Sequence, residues 1–337
     1  MSPRIVTLTL NPCLDLAAEA EHVWPTHKVR TEHEHTDAGG GGVNVSRVLL
    51  ALGAETLAVM ASGGAPGRVL EELLIECGLA YQPVPLAGRT RISLNVQDRA
   101  SGLEYRFVPE GPTMSKPEWQ AVLDTVSEVE ADWLVASGSL PMGAPKDAYA
   151  QIADIAAWRG QRFALDTHGS ALRAALHHGI ALLKPSINEL EWLVGRKLPD
   201  EHMQDAEAMS LVRSGAAEMV AVSLGEDGAL LATSEGVLRM AAPRIRVQTA
   251  VGAGDSFLAG LALELARGNS AKEALRWGMA AGAAAVICSG ASKVTRAAVE
   301  ERYRALVVEP CDGSSIPEPA MACAAAGVTE SPVRRPW

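Results

Sequence analysis

A mostly parallel α/β sheet covered by helices on both faces is the fold this sequence predicts, and three observations predict it. From about residue 115, short apolar runs (DWLVAS at 132–137, RFALD at 162–166, IALLKP at 180–185, EMVAVSL at 218–224) alternate with helix-length stretches. Continuous apolar runs of that length suit strands buried on both faces and joined by crossover helices. The helix boundaries are punctuated as well: Ser115–Lys116–Pro117–Glu118 reads as a capping box. Finally, RISLNVQ (91–97) and LEYRFV (103–108) flank DRASG (98–102), a hairpin signal outside that rhythm. With the weakly alternating VRTEHEHT (29–36), the hairpin predicts a small second sheet, placed as a lid over a cleft.

Taken in order, RIVTLTLNP opens the chain as a strand, and Gly39–Gly40–Gly41–Gly42 leads into a helix through VLLALG (48–53). The capping box at 115 starts a helix running to about 130, and a second helix covers 146–159. SINELEWLVG (186–195) is a helix closed by Gly195, and FLAGLALELARG (257–268) is an apolar helix stopped by Gly268. Trp119, Trp133, Trp158, Trp192 and Trp277 fall within these elements and are expected in the core. Residues 309–337, rich in Pro, Ala and Ser, read as a disordered tail, which leaves 1–308 as one domain with lid strands at about 22–37 and 88–109.

The 337 residues carry 30 Lys plus Arg against 40 Asp plus Glu, a net charge of −10. No broad basic surface is available for a nucleic-acid backbone, and 14 aromatics (seven Trp, four Tyr, three Phe) make a poor base-stacking platform. Any anionic ligand must be captured locally, by a few basic residues and backbone N–H groups. The five cysteines are scattered without a CxxC pair, which predicts reduced thiols in the cytoplasm. The longest uncharged stretch, residues 277–292, is 16 residues of mostly Ala and Gly, too short to span a membrane.

Four clusters bear chemistry. In Val251–Gly252–Ala253–Gly254–Asp255–Ser256, small residues leave the first N–H groups of a helix open to an anion. Asp255 there can accept a proton from an alcohol, or merely cap the helix. The glycines at 39–42 allow close backbone approach to a ligand, yet form neither a Walker A loop nor a dinucleotide fingerprint. Asp15, after the first strand, can hold sugar hydroxyls or sit as a solvated turn residue. Lys28, Arg30 and Arg91 lie on or beside the lid segments, either solvated or closing over a phosphate.

In order along the chain, these blocks resemble the ribokinase-like PfkB family of sugar kinases. The resemblance covers about residues 4–308, through TLTLNPCLD (7–15), GGGGVNVSR (39–47), GRTRISL (88–94), SGSLP (137–141), LLKP (182–185), VSLGEDG (222–228) and TAVGAGDSF (249–257). It implies a three-layer αβα core with a small β-sheet lid, and ATP-dependent phosphorylation of a sugar phosphate. Asp255 then matches the catalytic base, and Gly252, Ala253 and Gly254 the anion hole for the moving phosphoryl group. Asp15, Gly40, Gly41 and Asn44 match sugar contacts, while Lys28, Arg30, Arg91 and Ser139 match the substrate-phosphate site. Lys184, Ser186, Ser223, Gly225 and Gly228 match the ATP site, with Glu189 reaching the metal through water. The family usually has Asn where Ser186 stands, so the metal or nucleotide contacts are expected to differ.

The resemblance further implies Mg²⁺, K⁺ as an additional candidate, a homodimer through the lid strands, and neither a nucleic-acid nor a membrane partner. Within the hexose-phosphate branch, enzymes of fructose 1-phosphate carry Lys at the position of Gly41. AGGGGVN and the Glu104–Val108 block point instead to the 1-hydroxyl of fructose 6-phosphate. Ala38 and GRKLPD (195–200) look more like the enzymes of fructose 1-phosphate, which with tagatose 6-phosphate is the alternative substrate on this scaffold. A non-catalytic sugar-phosphate sensor would be expected to lack Asp255.

Overall fold

The computed structural model describes residues 3–245, 249, 251–288, 290–306 and 309–310. Its first third contains β1 (Arg4–Thr9), β2 (Cys13–Ala20), β3 (Glu32–Gly39), α1 (Gly41–Ala51), β4 (Glu55–Ser62), α2 (Gly64–Glu76), β5 (Tyr81–Pro85), β6 (Arg91–Asp98) and β7 (Glu104–Phe107). Next come α3 (Lys116–Glu128), β8 (Trp133–Ser137), α4 (Ala148–Trp158), β9 (Arg162–Asp166), α5 (Gly169–Ala175), β10 (Ile180–Leu183), α6 (Ile187–Val194) and α7 (Glu201–Arg213). The chain closes with β11 (Met219–Ser223), β12 (Ala229–Thr233), β13 (Gly236–Met240), α8 (Ala253–Ala266), α9 (Ala271–Ile287), α10 (Arg296–Ala305) and β14 (Glu309–Pro310).

Ten strands form the main sheet in the order β14-β13-β12-β11-β10-β9-β8-β1-β4-β5. From β11 to β5 every pairing is parallel; β12, β13 and β14 continue the sheet antiparallel. Alternate residues of each strand face opposite layers. Val6 and Leu8 of β1 pack towards α3–α7, whereas Ile5 packs with Val45, Val48, Leu258 and Leu275 of α1, α8 and α9. This is the αβα sandwich that the apolar rhythm implied.

A separate four-stranded sheet has the order β3-β2-β6-β7. It rests on α2 through Leu14 and Ala38, which pack with Leu70 and Leu74. Its first strand is Cys13–Ala20, ahead of the segment expected at 22–37, and residues 21–31 form an exposed connection. Two Trp expectations are overturned: Trp119 and Trp133 are buried, but Trp158 is 81% and Trp192 47% exposed, the latter lying under Arg173. Both sit on helix faces turned from the sheet, where only local contacts are on offer. The tail expected at 309–337 lies outside the described residues, apart from the β14 pair Glu309–Pro310.

Candidate active site

Ligands of open α/β sheets bind beyond the carboxyl ends of the strands. Asn11 follows β1 there, Ser137 and Asp166 end β8 and β9, and Lys184 follows β10. Ser186, beyond β10, and Ser223, the last residue of β11, sit side by side in an isolated parallel bridge. Facing these ends are the N-termini of α1 and α8. Helices α6, α7, α9 and α10 start on hydrogen-bonding caps (Ser186, Asp200, Ser270, Thr295), but among the described residues no side chain caps α1 or α8. Their first N–H groups therefore remain for a ligand.

Asp255, in the first turn of α8, is held from two other elements. Asn44 Nδ2 donates to its Oδ2 at 2.9 Å, and Ser137 Oγ donates to its Oδ1 at 3.3 Å. Burial, reinforced by the charge of Asp166, pushes its carboxyl up to about 6, against the pull of Asn44, Lys184 and Ser137. A carboxylate tuned to that range is ionised at neutral pH and still a competent proton acceptor.

The backbone of the glycine loop comes closer to β1 and β8 than any side chain would allow. A Cβ at Gly41 would lie 2.2 Å from Ser137 Oγ and 2.9 Å from the Ser137 carbonyl carbon. Gly40 sits against Thr9 and Pro12 as the N-terminal flank of α1. Gly41→Ala is expected to cost about 1–3 kcal/mol of stability by overpacking. It should also lower kcat/KM at least about tenfold, because Ser137 must shift under Asp255. Thermal unfolding and steady-state kinetics check this together.

Lys184 is buried, with Nζ 2.7 Å from Asp166 Oδ2. Burial alone would pull its pKa down, but Asp166, then Asp255 and Glu189, outweigh that and hold it raised, so the ammonium persists. A Cβ on Gly254 would come within 3.1 Å of Nζ, which puts this cation beside the first turn of α8. Glu189 is tied down by a reciprocal cap: the Ser186 N–H and Oγ both donate to its Oε2, at 2.7 and 2.8 Å. Ser186 thus spends its hydroxyl on Glu189.

Three clefts meet at the start of α8. One, of about 680 Å³, is lined by Gly41, Arg91, Ser139, Glu189 and Asp255. A second, of about 580 Å³ beneath the small sheet, takes in Asp15, Asn44, Arg106 and Gly252. The third, of about 950 Å³, holds Ser186, Ser223, Gly225, Gly228, Ala253 and Gly254, with an apolar wall that includes Phe257 and Met279. Successive residues 252 to 255 therefore open into all three.

Arg91 is braced by the carbonyls of Pro109 (3.0 Å) and Asn11 (2.9 Å), and Asn11 Nδ2 reaches Ser139 Oγ at 3.2 Å. Arg91 Nε and Asn11 Oδ1 are buried without a partner among the described residues. Lys28 and Arg30 lie on the exposed connection 21–31 and line none of the three clefts. Asn11, Ser137, Asp166 and Arg106 stand in the sequence blocks quoted above but carry no expected role there. Asp166 carried a usable signal, a carboxylate ending an apolar strand; the others become visible only through contacts distant in sequence.

The family model described as pfkB family carbohydrate kinase matches residues 8–297. The chain is 39% identical to the ATP-dependent 6-phosphofructokinase isozyme 2 of Mycobacterium tuberculosis over 92% of this chain and 91% of that protein. It is 32% identical to the 1-phosphofructokinase of Bacillus subtilis over 83% and 91%. Among solved structures, phosphofructokinase-2 from Escherichia coli in complex with potassium superposes with a TM-score of 0.86 at 37% identity, covering 90% of this chain and 99% of that one. Arabidopsis thaliana ribokinase shares the fold at a TM-score of 0.71 and 22% identity, over 90% and 99%.

Proposed function

The chain belongs to the PfkB family of carbohydrate kinases, and from that premise we propose that it transfers the γ-phosphoryl group of ATP to the 1-hydroxyl of fructose 6-phosphate, giving fructose 1,6-bisphosphate. As a family member it is a phosphotransferase acting on a sugar hydroxyl, and it uses ATP with a divalent metal. One observation carries the reading: an acceptor cleft and a nucleotide-sized cleft share a single corner, the uncapped first turn of α8.

In this reading the sugar phosphate lies between Arg91, Ser139, Gly41, Asp15 and Asn44. Arg91 is pre-set for an oxyanion because backbone carbonyls already fix its plane. The nucleotide occupies the 950 Å³ cleft, its base against Phe257 and Met279 and its phosphates over Gly225, Gly228 and the α8 N-terminus. Asp255 takes the hydroxyl proton as the oxygen attacks the γ-phosphorus and the bond from that phosphorus to the bridging oxygen breaks, with ADP as the leaving group. The N–H groups at Ala253 and Gly254, with Lys184, hold the charge that spreads over the equatorial oxygens.

Among the described residues no three acidic, His or Cys side chains gather into a metal cage. Glu189, a carboxylate fixed by Ser186 on the wall of the acceptor cleft, suits a hard cation and would hold Mg²⁺ through water. When bound, that ion neutralises phosphate charge. Including K⁺ rests on the potassium complex of the E. coli relative.

The reading also includes a homodimer in the cytoplasm. Leu16, Leu94 and Phe107 form a cross-strand row on the small sheet, Leu94 and Phe107 are exposed, and Ile92 extends the apolar face. A lid-to-lid dimer covers that face and gives Lys28 and Arg30 a neighbouring cleft to serve. Light scattering with ligands present should report twice the chain mass; a monomer contradicts it. No described helix is long and apolar enough to cross a membrane.

The substrate is tested by comparing kcat/KM on fructose 6-phosphate, fructose 1-phosphate and tagatose 6-phosphate. The first should lead by at least about tenfold, roughly 1.4 kcal/mol in transition-state binding. A tenfold lead for fructose 1-phosphate would favour the activity named for the B. subtilis relative.

A further inference from the structure

The mechanism leaves one buried group beside the sugar cleft unused, the thiol of Cys13. Side chains two apart on a strand share a face, so Cys13 and Asp15 of β2 lie together. Cys13 is 6% exposed, and its Sγ donates to Asp15 Oδ1 at 3.0 Å. Directly across the ladder stands Gly39. A Cβ there would fall 2.1 Å from Asp15 Oδ2 and 2.9 Å from Cys13 Sγ, so the missing side chain is the hollow into which this pair packs.

The charge directly opposite Asp15 on β3 is committed elsewhere, while Arg106 lines the same cleft as Asp15. The residue opposite it in register is Asp37, which takes up Arg47 at 3.3 Å and the Ser292 hydroxyl at 3.2 Å. Arg47 also donates to the carbonyl of Ala38. Among the described residues Asp15 keeps a single hydrogen-bond donor, the Cys13 thiol.

We infer that Cys13 is a positioning residue for sugar binding: its S–H aims the Asp15 carboxylate at the acceptor sugar, with the Gly39 hollow as the other half of the clamp. The inference rests on the proposed contact between Asp15 and sugar hydroxyls. Burial first, then the neighbouring Asp15 charge, pushes the thiol far above the ordinary cysteine range. Cys13 therefore stays protonated as a donor and does not act as a thiolate nucleophile. Holding a ligand-binding group in its bound orientation before the ligand arrives removes an ordering cost from binding.

The test is a double-mutant cycle on fructose 6-phosphate kinetics. Cys13→Ala should raise KM about fivefold with kcat within about twofold, the size of a weak donor lost from a charged acceptor. Cys13→Ser, which keeps a donor, should bring KM back to within about twofold of the parent. Asp15→Ala should raise KM further, and adding Cys13→Ala to it should then change nothing. Should Cys13→Ala not fold, Cys13→Val against Cys13→Thr makes the same comparison, since the two side chains have the same shape and differ in the hydroxyl donor.

Equal KM for the Ala, Ser and parent enzymes overturns the inference. So does a Cys13→Ala effect that persists undiminished in the Asp15→Ala background, or one that falls on kcat and melting temperature instead of KM. An Asp15→Ala enzyme with unchanged KM removes Asp15 from the sugar site, and the reading of Asp15 falls first.

Discussion

Asp255→Asn is expected to lower kcat by about a thousandfold while leaving sugar-phosphate binding nearly intact, within the usual range for losing a general base. The substitution is nearly isosteric, and an asparagine can still accept from Asn44 with its oxygen and donate to Ser137 with its amide. Geometry is kept and basicity is lost. The same variant should be more stable at neutral pH. Asp255 has its folded pKa raised from the ordinary 3.8 to about 6, with burial as the leading cause. A carboxyl raised in the fold favours its protonated form there, so the native state is penalised once the unfolded chain ionises. That penalty grows between about pH 4 and pH 6 and is full above it, at roughly 2–3 kcal/mol. Below about pH 3 the group is neutral in both states and the penalty disappears. Melting curves should therefore place Asp255→Asn several degrees above the parent at pH 7.5 and level with it at pH 3. A kcat within tenfold of the parent would remove Asp255 from the role of base.

Lys184→Met is the second large effect, and it should strike stability and activity together. The buried ammonium compensates Asp166 at 2.7 Å and faces Asp255 and Glu189 beyond it. Removing one partner of such a pair leaves a buried charge alone, typically about 3–5 kcal/mol. The proposed phosphoryl site loses its cation as well, which should lower kcat/KM for ATP by about 10²–10³-fold. The two losses can be separated by adding Asp166→Asn, which removes the orphaned charge. The double variant should regain much of the melting temperature and little of the activity. If activity returned along with stability, Lys184 would be a structural counter-ion with no part in transfer.

How far the molecule could be read in advance depended on whether a feature was local. The capping box Ser115–Glu118, the left-handed Gly195 closing α6 and the strands β8 to β11 all follow from short-range chemistry, and they lie within a residue or two of expectation. The small sheet was harder. β2 carries Asp15 and Glu19 within an apolar strand, and the first four residues of β3 are exposed, so neither shows a clean period of two. The sequence pattern therefore puts its start at about 22, although Cys13 already pairs in it. Gly41 and Asp255 could be singled out because glycine runs next to helix starts are rare enough to notice. Ser137 could not, since its contact with Asp255 joins positions 118 apart in the chain. The meeting of three clefts at α8 is tertiary altogether.

The central claim is that the buried carboxylate of Asp255 takes the proton from the sugar hydroxyl. Its most direct test is the pH profile of kcat/KM for fructose 6-phosphate in the parent and in Ser137→Ala. The ionised carboxylate is the working form, so activity should fall about tenfold per pH unit below a limb near 6 and level off above it. Substrate phosphates also titrate near pH 6, and Ser137→Ala separates the two sources. Its hydroxyl donates to Asp255 Oδ1 and helps hold that pKa down, so its loss should move the limb upward. A limb that moves up belongs to Asp255; one that stays in place, or a profile flat from pH 5 to 8, contradicts the assignment.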